Sequence, residues 1–429
     1  MVFLITVFFH SFTEGTKNMK IPIGIIGLSE RGNSLLNRVL EMDDIDLKIV
    51  CDRNSDRLKV QIDKCAEAGR PVDGTLNAAE VIERKDIEAV LICTSWNDHV
   101  SLAVSAMKHG LYTGLEVGPV QTIEQCFELV KAYEETSVPC MVLENCCYGQ
   151  NELTVLNMIK NGLFGELIHC SGGYQHDLRI LANQYDEDKE RTYHTLYRNC
   201  DLYPTHELGP MMTYLNINRG NRMISLTSTA SKSRGLSKYI KDNLPSDHPL
   251  AGAEFRLGDI ITTVIKCSNG ETMTLSHSTT LPRPYSRGGQ VIGTNGIWME
   301  DKNAAYIEGM CEHDKWKPFS EFVEKYEHPL WKAYRVQGVK EGHGGMDFLM
   351  LRAFFESVRN KTQTPIDIYD GVSMIAVSVL SEQSIALGSA PVAIPDFTNG
   401  TWINRDPYPA SIYSLDKVHT ELFENITNL

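Results

Sequence analysis

Ile21-Pro22-Ile23-Gly24-Ile25-Ile26-Gly27-Leu28-Ser29-Glu30-Arg31-Gly32 is the stretch from which the rest of the chain is read. Its first six residues form an apolar run of the length of a buried strand. A glycine-bearing turn follows, and then Leu35, Leu36, Val39 and Leu40 recur at helical spacing. Leu47-Lys48-Ile49-Val50 reads as a second strand, with Asp52 just past it, 20 residues after Gly32. Strand, glycine turn, helix, strand and acid in this order make a dinucleotide-binding fingerprint. The turn brings backbone N–H groups to a pyrophosphate at a helix N-terminus, and the carboxylate accepts hydrogen bonds from the adenosine ribose. Gly27 and Gly32 fit the pattern, with Glu30 and Arg31 between them; Ser29 replaces the middle glycine, and its Cβ crowds the pyrophosphate approach. A strand–turn–helix with no ligand is the alternative. Asp52 favours NAD because it repels a ribose phosphate, while Arg53 beside it leaves NADP open.

A chain of 429 residues is long enough for two domains. The formal charge of −14 argues against a nucleic-acid partner, and no basic block interleaved with aromatics occurs. A small polar substrate is the simpler expectation. The eleven cysteines include no Cys-x-x-Cys, so a zinc ribbon or thioredoxin motif lacks support and no metal site is expected. An odd number of thiols in a chain of this size points to a reducing, cytoplasmic setting. Val2 to Phe9 is apolar but too short to span a bilayer, and it lacks the basic flank of a signal peptide. Residues 1–19 are therefore expected to be a disordered extension or a misassigned start, with Met19 just before the first strand. No membrane association is expected.

Alternation of strand and helix continues to about residue 148. Ile87–Cys93, Leu111–Val117 and Val138–Leu143 read as strands, and Val100–Lys108 and a Thr122-capped segment to Glu135 as helices. This pattern predicts an α/β Rossmann domain over 20–148 with a doubly wound parallel sheet. Beyond it the grammar changes. A helix over Leu153–Ile159 precedes strand-like runs at 166–174, 223–229, 259–267, 272–279 and 289–293, with helices over 346–359 and 372–387. Residues 149–429 are thus expected to form an α+β substrate-binding domain on a largely antiparallel open sheet. An exposed face of that sheet would make a homodimer plausible.

Candidate chemistry gathers at strand ends, where open α/β sheets collect ligands. Trp96, Asn97, Asp98 and His99 leave the third recognised strand. Glu116, Val117 and Gly118 close the next one. Glu144 and Asn145 close the strand after that, Asn145 suited to the nicotinamide ribose or amide and Glu144 to acid/base work; alternatively both satisfy backbone groups. Tyr174 and His176, two apart on a strand, share a face and can shuttle a proton. A merely structural Tyr–His bond is the alternative. Arg191 follows. Pro204 stiffens Asp201–Pro210, and Tyr203 and His206 are expected on a loop before a helix over Met211–Leu215. Tyr285 lies on another proline-stiffened segment, and Gly342-His343-Gly344-Gly345-Met346-Asp347 precedes a helix without an evident role.

Glu116-Val117-Gly118 resembles the Glu-Lys-Pro of the Gfo/Idh/MocA dehydrogenases, but without the lysine that assists hydride transfer there. As a set, Leu-Glu-Asn-Cys-Cys-Tyr, Tyr-Pro-Thr-His, Arg-Pro-Tyr-Ser-Arg and His-Gly-Gly-Met-Asp resemble glycoside hydrolase family 109 over residues 20 to 400, the NAD-dependent α-N-acetylgalactosaminidase branch of that superfamily. The resemblance implies NAD contacts at Glu30, Arg31, Asp52, Trp96–His99, Glu116, Val117, Asn145 and Tyr203. It implies sugar contacts at Tyr174, Arg191, Tyr203, Pro204, Thr205, His206 and Tyr285. Glu207 stands where family members often have glycine, which places a carboxylate next to His206 and leaves the precise substrate open. The implied chemistry is transient oxidation at sugar C3, loss of the C2 proton, departure of the C1 group, water addition and re-reduction. His206 assisted by Tyr203 is the expected base at the C3 hydroxyl. Glu144, Tyr174 and His176 are the candidates near C1 and C2, with NAD held tightly through each turnover. The competing readings are a sugar or polyol dehydrogenase with net redox and a non-catalytic NAD-binding protein.

Overall fold

The computed structural model describes residues 19–184, 190–340 and 342–424. The expectation for residues 1–18 lies outside that range. The first part interleaves strands β1 (Ile21–Ile26), β2 (Ile45–Cys51), β3 (Asp73–Thr75), β4 (Ala89–Ile92), β5 (Tyr112–Leu115) and β6 (Cys140–Val142) with helices α1 (Glu30–Leu40), α2 (Ser55–Glu67), α3 (Ala78–Ile82), α4 (His99–Lys108) and α5 (Ile123–Thr136). All six strands run parallel in the order β3-β2-β1-β4-β5-β6. Ile23, Ile25, Leu35, Leu36 and Val39 are wholly buried, so the apolar run and the helical stripe meet in one core. Thr122 and Gln125 close a reciprocal capping box at the start of α5.

The second part holds α6 (Gln150–Lys160), β7 (Leu167–Gln175), α7 (Glu190–Tyr197), α8 (Thr205–Tyr214), β8 (Met223–Ala230), α9 (Gly235–Asn243), β9 (Ile261–Cys267), β10 (Thr272–Ser278), β11 (Gln290–Gly293), β12 (Gly296–Met299), β13 (Ala304–Ile307), β14 (Lys317–Pro318), α10 (Phe319–Tyr326), α11 (Pro329–Gln337), α12 (Met346–Asn360), α13 (Ile368–Ala386) and β15 (Val392–Ala393). Nine strands form one sheet in the order β14-β13-β12-β11-β7-β10-β9-β8-β15. Only β7 and β10 pair in parallel; the other contacts are antiparallel. α13 packs on α5 and on β8, joining the two parts. Among the described residues, no helix is long and apolar enough to cross a membrane.

One expected element is corrected. Tyr203 and His206 were expected on a loop before a helix at Met211, but α8 begins at Thr205 and carries His206 in its first turn. Pro204 takes the N-cap position, and its fixed φ suits a helix start.

Candidate active site

Gly27 has φ +91, and a Cβ there would lie 2.5 Å from the Cys93 carbonyl oxygen. A Cβ on Gly32 would meet the Gly27 carbonyl oxygen at 1.9 Å, so both glycines set the close packing of strand, turn and helix. Ser29 is exposed at the α1 N-cap and makes no side-chain cap hydrogen bond. The helix start is left as an anion-binding end, so the turn fits a pyrophosphate. Asp52 is buried: its Oδ2 accepts the Leu28 N–H at 2.8 Å, its Oδ1 accepts the Asn54 N–H at 2.8 Å, and Arg57 bonds both oxygens at 3.2 Å. The expected ribose acceptor is thus also the anchor of the glycine turn. Arg57, which neutralises it, had no signal in the sequence beyond standing near it.

Arg31 reaches out of the turn in two directions. Its Nε donates to Glu116 at 3.0 Å, while Nη1 and Nη2 donate to the two oxygens of Asp347 at 2.8 and 3.0 Å. Asp347, fully buried in the first turn of α12, also accepts from Asn145 Nδ2 at 2.8 Å and lies 2.7 Å from His343 Nδ1. Burial raises its pKa, but His343 and Arg31 outweigh that and hold its carboxyl well below the usual range. Burial pushes Glu116 the other way, above its ordinary value, with Arg31 opposing. Asp347 is a site residue that sequence reasoning missed. It stands 316 residues from Arg31 and 202 from Asn145, so no spacing could reveal it.

Trp96 is half-buried and leans on Tyr203, with ring centroids 6.1 Å apart. A Cβ on Gly118 would lie 2.4 Å from the Trp96 ring, which explains a glycine there. Val117 is buried. Asn97 and Asp98 are exposed, and His99 turns inward to the Thr94 carbonyl at 3.1 Å. Asp98 Oδ2 accepts from the Ser95 hydroxyl at 3.0 Å, and His99 helps hold the loop's own shape.

The catalytic candidates converge where β6, β7 and α8 meet. Glu144 is fully buried, and its oxygens lie 2.8 and 3.0 Å from His206 Nδ1. Its Oε1 also accepts the Cys146 N–H at 3.0 Å. Burial raises its pKa, but His206 and the Cys146 amide hold the carboxyl below its ordinary value. With no exposed surface of its own, the carboxylate is turned toward His206. Tyr203 packs edge-on to His206 and tilted on Tyr174, with centroids 4.8 and 4.7 Å apart. Arg191 Nη1 donates to the Tyr174 hydroxyl at 3.2 Å, and that hydroxyl is 3.1 Å from His176 Nδ1. Burial and then Arg191 push the His176 pKa down, keeping the imidazole neutral. Arg191 also lies over the Tyr203 ring, 4.5 Å from its centroid. Pro204 and Thr205 are buried, and the half-exposed Tyr285 ring stands 5.0 Å from that of His176. Glu144, Cys146 and His206 set three metal-ligating atoms within 4.8 Å, with Arg287 beside the thiol.

Glu207 is corrected as well. It follows His206 in sequence but points about a quarter-turn or more away on the helix. Its side chain lies under Gly172 and Gly289, against Trp298, and burial pushes its pKa well up, with Arg287 opposing. The carboxylate beside His206 is Glu144.

Residues 21–144 match the model of the oxidoreductase family with an NAD-binding Rossmann fold, and residues 148–404 that of the glycosyl hydrolase 109 C-terminal domain. An alpha-N-acetylgalactosaminidase of Tannerella forsythia is 40% identical over 92% of this chain and 89% of its own. A glycosyl hydrolase family 109 protein of Parabacteroides distasonis is 38% identical over 92% and 90%. Among solved structures, an NAD binding oxidoreductase from Klebsiella pneumoniae gives a TM-score of 0.69 at 17% identity, covering 88% of this chain and 99% of its own. Scyllo-inositol dehydrogenase from Lactobacillus casei with bound NAD(H) and scyllo-inositol gives 0.61 at 13% identity, over 87% and 99%. These likenesses share the fold, while the sequence likeness runs nearly end to end, and on it the chain belongs to glycosyl hydrolase family 109.

Proposed function

We propose that the protein hydrolyses α-N-acetylgalactosaminides, or a closely related hexoside, with NAD as a resident cofactor. We read it as two domains, 20–148 for the cofactor and 149–429 for the sugar. The change from a parallel to a mostly antiparallel sheet supports that division. The turn at Gly27–Gly32, with Asp52, Trp96, Glu116, Asn145 and Tyr203, would hold NAD. Bound there, it would supply a reversible hydride acceptor, the chemistry that makes a carbon–hydrogen bond beside an oxidised ring carbon acidic.

The observation that carries this reading is the Glu144–His206 dyad at the junction of the two sheets. An ionised carboxylate only accepts, so it fixes the proton on Nδ1 and leaves Nε2 free to take one from the C3 hydroxyl. Tyr203 packs edge-on against the His206 ring. Arg191 donates to the Tyr174 oxygen, so the phenol proton points to neutral His176. Tyr174 and His176 therefore serve the C2 proton and the C1 leaving group. The protein has no lysine at Val117, and His206 takes over the proton at C3.

An aryl α-N-acetylgalactosaminide incubated in heavy water tests this. Aryl release with deuterium at C2 of the product supports it. NADH accumulating without bond cleavage makes the protein a dehydrogenase, and neither result with NAD still bound makes it a binding protein. All eleven cysteines are free, ten of them buried, which supports a reducing cytoplasmic location. Thr262, Val264 and Lys266 on β9 leave the outer face of the second sheet open, which supports a homodimer through that face.

A further inference from the structure

Cys146 follows Asn145 in the short turn after β6. Its sulfur, a Glu144 oxygen and a His206 ring nitrogen all lie within 4.8 Å of one another. Glu144 Oε1 and His206 Nδ1 are already 2.8 Å apart. A zinc-class ion bound at about 2.0–2.3 Å holds its ligands roughly 3.3–3.8 Å apart, so each atom needs to shift by about an ångström at most. Thiolate, imidazole and carboxylate together suit zinc, whereas magnesium and calcium take oxygen ligands. The set is Glu-x-Cys with a histidine 62 residues on, a spacing that no Cys-x-x-Cys search finds.

The surroundings are short of positive charge. Beside the thiol, buried Glu152 and Glu207, with Glu300, face the guanidinium of Arg287. Burial, helped by Glu300 and opposed by Arg287, holds Glu152 and Glu207 above the ordinary carboxylate range. Burial likewise keeps the Cys146 thiol protonated, although Arg287 favours the thiolate. A metal ion that coordinates the sulfur removes that proton outright. Glu144 and Cys146 are buried, while the His206 side chain keeps 13% exposure, which leaves the imidazole side as the way in.

We infer that Glu144, Cys146 and His206 form a binding site for a thiophilic divalent cation of the zinc class, and that its occupation silences the dyad. The ion gains bonds to the Cys146 sulfur, a Glu144 oxygen and His206 Nδ1, with the fourth tetrahedral position left to water. The thiol proton leaves to solvent. The imidazole gives up its proton at Nδ1 and regains one at Nε2. Nε2 is then a donor and can no longer take a proton from a hydroxyl. No atom changes oxidation state. Binding of the ion is independent of the glycosidase reading; only the silencing rests on it.

The test uses the protein with its NAD, freed of metal by a chelator that is then removed. Cobalt(II) serves as a coloured stand-in for zinc. About one cobalt ion per chain should bring up a thiolate-to-cobalt charge-transfer band in the near ultraviolet, and zinc should abolish it. Zinc at saturation should lower kcat on the aryl glycoside by about 10²–10⁴, with NAD content unchanged and activity restored by chelator. Cys146→Ser should lose the band and need roughly a hundredfold more zinc for half-inhibition. Cys146→Ala should behave alike and serves where the serine protein does not fold. No band in the wild-type protein, or a band that survives both substitutions, overturns the site. Zinc inhibition equally strong with and without the thiol overturns it too. A band lost with the thiol but turnover indifferent to zinc overturns the silencing. The band in a protein that never cleaves a glycoside keeps the site and ends the glycosidase reading; cleavage indifferent to zinc, with no band, does the reverse.

Discussion

Glu144 holds His206 by Nδ1 across 2.8 Å, and the carboxylate sees no solvent. Glu144→Gln keeps the shape but can offer its amide as a donor, which favours the wrong tautomer. We expect kcat to fall by about 10²–10⁴ with KM and NAD content unchanged. His206→Ala should cost as much, and the double variant little more, because the two act as one unit. Steady-state kinetics on the aryl glycoside decide it; additive losses would show that Glu144 works independently.

Asp347 ties the glycine turn to Asn145 through a doubly bonded Arg31. Asp347→Asn removes the charge that balances Arg31, and hydrogen bonds to charged groups contribute about 1.5–3 kcal/mol each. NAD retention should fall roughly ten- to a hundredfold, read as cofactor content after purification and by fluorescence titration. Full NAD content in the variant would reduce Asp347 to a packing residue.

Asp201 is buried, accepts the Tyr203 N–H at 3.2 Å, and has its carboxyl pushed by burial up to about 7. The folded protein therefore holds a proton that the unfolded chain has already released. The associated stability is complete below the ordinary carboxylate range and is lost as pH rises toward 7, by roughly 4 kcal/mol. The Tm should fall between pH 4 and pH 7, and Asp201→Asn, which keeps an acceptor without the ionisation, should flatten that fall. Calorimetry across the range checks it; parallel curves would assign the pH dependence to other groups.

Gly118 leaves room for the Trp96 ring, which a Cβ would meet at 2.4 Å. Gly118→Ala should destabilise by about 1–3 kcal/mol through overpacking and shift the tryptophan emission. Rebuilding the dehydrogenase pair with Val117→Lys and Gly118→Pro should displace Trp96 further and yield no net oxidation of sugar. NADH production by the double variant would contradict this.

The first sheet was legible because long apolar strands alternate with striped helices, and β1, β2 and β4 to β6 all stand where the pattern put them. β3 escaped notice because Asp73-Gly74-Thr75 is short and largely exposed. β12 to β14 escaped because each is four residues or fewer, with little room for alternation. Tyr174 with His176 could be paired from spacing two on a strand. Glu144 with His206 and Asp347 with Arg31 could not, because each pairing is made by tertiary packing between distant segments. Glu207 misled because neighbours along a helix point apart.

Glu144 lies just beyond β6 of the parallel sheet, and His206 stands in the first turn of a helix that packs on the other sheet. Their hydrogen bond is therefore a gauge of the seam between the two layers. A substitution far from any ligand, where α13 lies on α5 and β8, can alter turnover simply by changing how these layers are registered. The length of one hydrogen bond then reports the alignment of the whole molecule.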